Sequence, residues 1–159
     1  MILALLGPES SGKTTLAREL AQQFHGVYMP EYAREYMERL GTRAYSYDDV
    51  LAIARHQVEE LRGISTCRGH ASRPFFLDTD LIVTKVWFEV KYHTCPAFVE
   101  QALHDYPIDF YILCYPDIAW VDDPTRENGD QATREYLFSR YLAEIHRLSR
   151  PYYIHYHDK

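Results

Sequence analysis

Short apolar runs alternate with segments of helical periodicity along most of this chain. The strand-like runs span residues 2–6, 27–29, 74–77, 109–114 and 152–156. Runs of apolar residues without polar alternation are typical of parallel strands covered on both faces. The regular alternation of strand-like and helical segments therefore predicts an α/β fold with a parallel sheet between helices. The length of the chain suits a single domain over residues 1–159.

Between these runs, apolar residues recur every three or four positions, as they do on one face of a helix. The helical segments predicted in this way cover residues 16–24, 31–40, 46–61, 79–92, 96–103 and 131–149. Ser46 with Asp49 three residues later predicts a capping box at the start of one helix. Trp87 lies on the apolar face of segment 79–92, where packing in the core is the favoured interpretation and stacking on a ligand ring is the alternative.

The loop after the first strand matches the phosphate-binding pattern G-x-x-x-x-G-K-[ST]. In such loops the backbone N–H groups and the following helix N-terminus bind phosphate. The Lys13 ammonium reaches the β- and γ-phosphates, and the Thr14 hydroxyl can bind Mg²⁺. We therefore expect ATP and Mg²⁺ as cofactors. The predicted nucleotide-binding residues are Gly7, Glu9, Ser10, Ser11, Gly12, Lys13, Thr14 and Thr15.

Two carboxylates follow predicted strands, at the sheet edge where open α/β folds bind ligands. Asp78 ends the run 74–77, and an acid at this position typically helps to hold Mg²⁺ in nucleotide-binding domains. Glu31 follows the run 27–29, and Arg34 lies one turn later. Both are candidates for the site, and the alternative for both is a solvated first turn in which Glu31 serves only the helix dipole.

A polar, turn-rich stretch of about 117–134 is too long for a simple connection and is predicted to be a lid. Arg126 within it and Arg134 at the start of the next helix could both reach transferring phosphates. The alternative is a solvated loop with two ordinary arginines.

The composition limits the classes of partner and the compartment that we expect for this protein. The formal net charge of −6 argues against nucleic acid as the main partner. Three cysteines without C-x-x-C spacing suit free thiols in a reducing compartment. The apolar run 2–6 is too short for a signal peptide or a membrane span, so we expect a cytoplasmic protein with a small-molecule substrate. The sequence does not predict the oligomeric state.

Four segments together resemble the ribosylnicotinamide kinase domain of bacterial NAD-biosynthesis proteins, in the P-loop NTPase superfamily. They are GPESSGKTTL at 7–16, PEYAREY at 30–36, FLDTDLIVTKV at 76–86 and PDIAWVDD at 116–123. The resemblance implies a three-layer P-loop kinase-like fold with a five-stranded parallel sheet in the order 2-3-1-4-5. It also implies transfer of the ATP γ-phosphate to the 5′-hydroxyl of nicotinamide riboside, which gives nicotinamide mononucleotide.

The resemblance assigns roles to residues of this chain. It implies Lys13, Asp78, Glu31, Arg126 and Arg134 as catalytic residues, with Thr14 and Asp78 holding the metal. Either Asp78 or Glu31 would take the proton of the acceptor hydroxyl. The residues predicted to bind the substrate are Glu31, Tyr32, Arg34, Asp80, Trp87, Trp120, Asp122 and Asp123.

Two other functions are compatible with the same residues. One is a kinase for a different nucleoside or for a nucleoside monophosphate. The other is a regulatory P-loop NTPase whose hydrolysis switches a partner, which would show no dependence on a small acceptor.

Overall fold

The computed structural model describes residues 1–67, 73–117 and 130–157 of the chain. These residues form five strands and six helices. The strands are β1 (Ile2–Leu6), β2 (Val27–Met29), β3 (Phe75–Asp78), β4 (Phe110–Cys114) and β5 (Tyr152–His155). The helices are α1 (Lys13–Gln23), α2 (Tyr32–Leu40), α3 (Tyr47–Thr66), α4 (Leu81–Tyr92), α5 (Ala97–Asp105) and α6 (Gln131–Arg147).

The five strands form one parallel sheet in the order β2-β3-β1-β4-β5. The predicted fold class and strand order are therefore confirmed. β1 lies at the centre, where Leu5 is in register with Asp78 of β3 and with Ile112 of β4. This register brings the carboxyl ends of β1 and β3 together, so the loop after β1 and the acid that ends β3 share one edge of the sheet.

Both faces of the sheet are covered, which explains why its strands show no polar alternation. Ala4 and Leu6 of β1 belong to the larger core, to which α3, α4, α5 and α6 contribute. Leu3 and Leu5 face the opposite side and pack in a smaller cluster with α1. Successive side chains of a strand point to opposite faces. The alternation from Leu3 to Leu6 therefore places one helical layer on each side of the sheet, which makes three layers in all.

Two helix starts show how local chemistry sets the boundaries. The capping box predicted for α3 is confirmed, because the Ser46 N–H donates to Asp49 Oδ2 at 2.8 Å and the Ser46 hydroxyl accepts from the Asp49 N–H. α4 begins at Leu81, two residues later than the pattern predicts. Asp80 is its N-cap and accepts a hydrogen bond from the Ile82 N–H at 3.0 Å.

The three cysteines are free thiols, as predicted. Burial raises the pKa of the Cys114 thiol to about 12, so this group stays protonated at neutral pH. Among the helices in the described ranges, none is both long and apolar enough to cross a lipid bilayer.

Candidate active site

The phosphate loop joins β1 to α1 and is shaped by two residues with positive φ. Ser10 has φ of 60° and Gly12 has φ of 80°. A Cβ at Gly7 would lie 2.3 Å from the Ser11 hydroxyl oxygen and 3.1 Å from the Cys114 carbonyl oxygen, so a larger residue would require its neighbours to shift. Gly12 is the N-cap of α1 and provides no side-chain hydrogen bond. The first backbone N–H groups of α1 therefore remain available to an anion, which is the arrangement that binds phosphate.

Arg134 braces this loop from the first turn of α6. Its Nε donates to the Glu9 carbonyl at 3.0 Å and its Nη2 donates to the Ser10 carbonyl at 3.1 Å. The side chain is only 2% exposed, and burial lowers the pKa of the guanidinium from its ordinary value. Arg134 therefore holds two consecutive carbonyls of the loop, one of them on the residue with φ of 60°. Its role as a direct phosphate ligand stays a prediction.

The end of β3 places a carboxylate beside the loop threonine. Asp78 Oδ2 accepts hydrogen bonds from Thr14 Oγ1 at 2.6 Å and from the Tyr28 hydroxyl at 2.8 Å. Within the described residues, the buried Asp78 Oδ1 has no hydrogen-bond partner. Burial and the neighbouring carboxylate raise the pKa of Tyr28 to about 12, so its hydroxyl remains a donor.

This pair of oxygens fits a magnesium ion. Mg²⁺ usually takes one or two protein oxygens and completes its shell with water and substrate phosphate. Thr14 and Asp78 supply such oxygens, and the orphaned Oδ1 is a buried acceptor that a cation would satisfy. Among the described residues no cluster of three or more His, Cys, Asp or Glu side chains forms a metal site. A metal here would thus depend on the phosphates of a bound nucleotide.

Lys13 and Glu31 form an ion pair at the mouth of the loop. Lys13 Nζ lies 3.6 Å from Glu31 Oε2, and the two side chains are 8% and 20% exposed. Glu31 is the N-cap residue of α2, yet its side chain makes no capping hydrogen bond. The carboxylate is therefore directed to Lys13, which disfavours the alternative that Glu31 serves only the helix dipole.

A cavity of about 750 Å³ extends from the phosphate loop to α2 and α4. Gly7, Glu9 and Lys13 line one end of it. The rest of the wall comes from α2, the segment after it, α4 and α6, and it includes Glu31, Ala33, Arg34, Met37, Gly41, Thr42, Arg43, Ala44, Tyr45, Thr79, Val83, Thr84, Trp87, Val90, Lys91, Leu137 and Tyr141. The loop and Glu31 thus open into one continuous space.

Aromatic rings form a defined part of this wall. The Trp87 Nε1–H donates to the Tyr45 hydroxyl at 3.1 Å, and the two rings meet edge to face with centroids 5.2 Å apart. Lys91 Nζ lies 5.0 Å from the centroid of the Tyr45 ring. Trp87 is half-buried and lines the cavity. A ligand in the cavity would therefore meet an aromatic wall whose ring positions are fixed by hydrogen bonding.

A partly buried ion cluster joins the α4 wall to the helix that carries Arg134. Lys85 Nζ of α4 lies 2.8 Å from Glu89 Oε2 and 3.1 Å from Glu144 Oε2 of α6. Arg140 of α6 donates to Glu89 Oε1 at 2.7 Å. The two walls of the cavity are consequently held to each other through charged side chains.

The structure places Tyr32 and Asp80 away from the cavity, although the sequence predicts both as substrate-binding. The Tyr32 ring stacks on His56 with centroids 3.5 Å apart. Asp80 is 2% exposed, and its carboxylate caps α4 and accepts from the Tyr111 hydroxyl at 3.3 Å. Burial raises the pKa of Asp80 to about 7. Both residues instead line a separate void of about 10 Å³.

Of the other residues predicted for the site, Glu31, Arg34 and Trp87 line the cavity. The predicted residues Arg126, Trp120, Asp122 and Asp123 lie outside the described residues, as does most of the predicted lid. Thr15 follows the loop as an exposed residue in the first turn of α1.

Sequence reasoning missed several residues that the fold brings to the site. Tyr28 binds Asp78 from a strand of only three residues, and Tyr45 reaches Trp87 from the segment between α2 and α3. No short-range spacing relates these pairs. Lys91 is the exception, because it follows Trp87 by four residues and therefore shares its helix face.

A phosphate loop, an adjacent acid with a free buried oxygen and the strand order 2-3-1-4-5 define a P-loop domain of the kinase-like type. The sequence model of the AAA domain family matches residues 2–157. The chain therefore belongs to the AAA domain family of P-loop proteins.

Curated relatives confirm the resemblance to bacterial NAD-biosynthesis proteins. The trifunctional NAD biosynthesis/regulator protein NadR of Salmonella typhimurium is 31% identical over 159 residues, which is 96% of this chain and 37% of the relative. NadR of Escherichia coli is 32% identical over 149 residues, which is 90% of this chain and 35% of the relative. The chain thus spans little more than a third of these relatives.

Solved structures agree on the fold. NadR in complex with NR has a TM-score of 0.76 at 24% identity, and the match covers 96% of this chain and 42% of that chain. Deoxyadenosine kinase from M. mycoides has a TM-score of 0.61 at 13% identity, covering 98% of this chain and 90% of that chain. At these identities the likeness shows the fold alone.

Proposed function

We propose that this chain is a kinase that transfers the γ-phosphate of ATP to the 5′-hydroxyl of nicotinamide riboside, giving nicotinamide mononucleotide and ADP. The observation that carries the proposal is the single cavity that joins the phosphate loop to an aromatic wall, with the Lys13–Glu31 pair at the junction. The similarity to NadR, solved in complexes with NR and with NAD and AMP-PNP, supports this choice of acceptor and donor.

The donor end supplies positioning and charge. The loop N–H groups and Lys13 bind the β- and γ-phosphates and offset the charge that spreads over the equatorial oxygens during transfer. Thr14 and Asp78 would hold Mg²⁺, which supplies further neutralisation of phosphate charge. Arg134 keeps the loop carbonyls in place while the nucleotide binds.

Glu31 is the better candidate for the base. Asp78 is buried and already accepts two hydrogen bonds on Oδ2, whereas Glu31 is paired with Lys13 and lines the cavity. When Lys13 turns to the phosphates, the Glu31 carboxylate is released to accept the proton of the acceptor hydroxyl. The hydroxyl oxygen then bonds to the γ-phosphorus as the bond to the ADP oxygen breaks.

The aromatic wall suits the acceptor's ring. A pyridinium is a flat cation, and such cations are attracted to the faces of Trp and Tyr. We place Trp87 against this ring, with Tyr45 holding the indole through its hydrogen bond. The three free thiols support a reducing compartment, and we propose the cytoplasm as the location.

A second acceptor class is favoured by a specific observation. Arg34, Arg43 and Lys91 all line the cavity, and cations of this kind bind the phosphate of a nucleoside monophosphate. Two of these cations already form ion pairs within the protein, since Arg34 lies 3.3 Å from Glu38 and Arg43 lies 3.4 Å from Asp49. A nucleoside monophosphate kinase is therefore the second candidate.

ADP release with ATP and Mg²⁺ tests these functions across a panel of acceptors. The panel holds nicotinamide riboside, the common nucleosides and their monophosphates, with Lys13→Ala protein as the control. The proposal expects release that depends on nicotinamide riboside and is lost in the control. Release that depends on a monophosphate instead would support the second candidate, and acceptor-independent release would support a regulatory NTPase.

A further inference from the structure

Thr79 adopts a backbone conformation that its residue type avoids. It follows Asp78 at the end of β3 and has φ of 81°. β-Branched residues are genuine outliers at positive φ, and such strain persists only where the surrounding structure enforces it. The Thr79 N–H donates to the Leu5 carbonyl at 3.0 Å, which fixes the residue at the edge of the sheet.

The side chain of Thr79 carries a second unfavourable feature. The residue is 7% exposed, and within the described residues its Oγ1 is buried and has no hydrogen-bond partner. A buried hydroxyl that makes no hydrogen bond destabilises the folded protein. Glycine at this position would remove the backbone strain, and valine would remove the orphaned hydroxyl without a change of shape.

The position of Thr79 indicates what its hydroxyl is for. The residue lines the large cavity together with Lys13 and Glu31. It also lines the void of about 10 Å³ beside Asp80, a size close to that of one water molecule. Asp78, its neighbour, has an orphaned oxygen that a metal would satisfy. Thr79 therefore places a buried, unsatisfied hydroxyl between the small void and the large cavity, next to Asp78.

We propose that the Thr79 hydroxyl binds a hydroxyl group of the acceptor and positions it for transfer, and that the strained backbone serves to present this side chain. A threonine hydroxyl both donates and accepts a hydrogen bond, which suits the alcohol groups of a sugar. It also adds no charge beside the incoming phosphate. The inference rests on the proposed phosphoryl transfer and adds an acceptor-positioning residue to it.

Three variants of Thr79 test the assignment, with both stability and kinetics as readouts. Thr79→Val keeps the shape and removes the hydroxyl, Thr79→Ser keeps the hydroxyl, and Thr79→Gly relieves the strain. Thr84→Val is the matched stability control, because the Thr84 hydroxyl is buried but donates to Gln57 Oε1 at 2.5 Å. We expect Tm to fall for Thr84→Val, to stay or rise for Thr79→Val and to rise for Thr79→Gly.

In the kinetic measurement, Thr79→Val and Thr79→Gly should lower kcat/KM for the acceptor roughly tenfold, the loss expected for one hydrogen bond to a substrate. The KM for ATP should stay unchanged, and Thr79→Ser should restore acceptor kcat/KM to within about twofold. A Thr79→Val protein with lower Tm and unchanged acceptor kcat/KM would overturn the assignment, because the hydroxyl would then be satisfied by a structural water.

The same assay separates this inference from the proposed function. Wild-type protein that releases ADP only with an acceptor, while Thr79→Val does so equally well, would contradict the Thr79 assignment alone. Wild-type protein whose ADP release does not depend on any acceptor would overturn the kinase proposal and the Thr79 assignment with it.

Discussion

The two ends of the cavity are built in different ways. At the end proposed to bind the donor, the working groups are buried and held by hydrogen bonds, with Asp78 and Arg134 each 2% exposed. At the end proposed to bind the acceptor, most wall residues of α2 and α4 are half-buried or exposed, and Val90 is 40% exposed, although Thr84 of α4 is buried. The donor end is thus a fixed framework, whereas the acceptor end can change its side chains at little cost to the fold.

From this difference we expect one end of the cavity to serve phosphoryl transfer and the other to select the acceptor. Changes at the donor end should affect transfer to every acceptor, while changes in the α4 wall should affect the choice of acceptor. Glu31 stands between them, because it pairs with Lys13 and lines the shared cavity. The substitutions below test that division.

Lys13→Ala should have the largest effect. Loss of the ammonium removes the charge that stabilises the γ-phosphate during transfer, and turnover should fall on the order of 10³-fold with every acceptor. The Tm should change little, because the Lys13–Glu31 contact is a single ion pair at 3.6 Å. Steady-state ADP release and thermal unfolding give both values, and wild-type-like turnover would contradict the donor-end assignment.

Glu31→Gln should lower turnover by about 10²-fold through loss of the base. The KM for ATP should change far less, since the amide still leaves Lys13 free for the phosphates. Glu35→Gln, in the same helix and on an exposed side chain, is the matched control and should behave as wild type. Equal turnover of the two variants would contradict the role of Glu31 as the base and would support the alternative that it serves only the dipole of α2.

Arg134→Met tests whether the loop needs its brace. Two loop carbonyls lose their donors, which should cost about 2 kcal/mol of folding free energy and lower Tm by roughly 6 °C. The KM for ATP should rise severalfold because the loop is less ordered. Arg140→Met in the same helix removes a more exposed ion pair and should leave the KM for ATP unchanged. A rise of equal size in both variants would contradict the brace.

Trp87→Leu should have the smallest effect and a selective one. The KM for the acceptor should rise about threefold through loss of the ring contact, with the KM for ATP unchanged. Trp87→Phe keeps an aromatic face and should recover most of the loss. If Trp87→Leu changed the KM for ATP as much as that for the acceptor, the two ends would not be separate.

The phosphate loop and Asp78 could be predicted from sequence because a local pattern marks each of them, whereas the contact of Arg134 with the loop could not. The consecutive residues 7–14 match a known motif, which predicts the loop. The apolar run before Asp78 predicts a strand that ends in this acid. Once the strand order is known, the register that sets Leu5 beside Asp78 places them together. The capping box at Ser46 was predictable for the same reason.

The acceptor end could be predicted only in part. Glu31 and Arg34 followed from their place after β2, but Tyr45 lies 42 residues from the Trp87 that it contacts. Asp80 shows the converse limit, because this carboxylate follows β3 in the predicted segment but caps α4 in the structure. The positive φ of Thr79 could not be predicted from the sequence, because threonine, as a β-branched residue, disfavours this conformation.

Phosphorus-31 NMR of the reaction products tests the central claim most directly. The protein is incubated with ATP, Mg²⁺ and nicotinamide riboside, and the Lys13→Ala variant serves as the blank. The account predicts a phosphomonoester signal, identified as nicotinamide mononucleotide, that grows in step with ADP. Inorganic phosphate in place of that signal would contradict it, because the γ-phosphate would have gone to water and the cavity would have no acceptor to position.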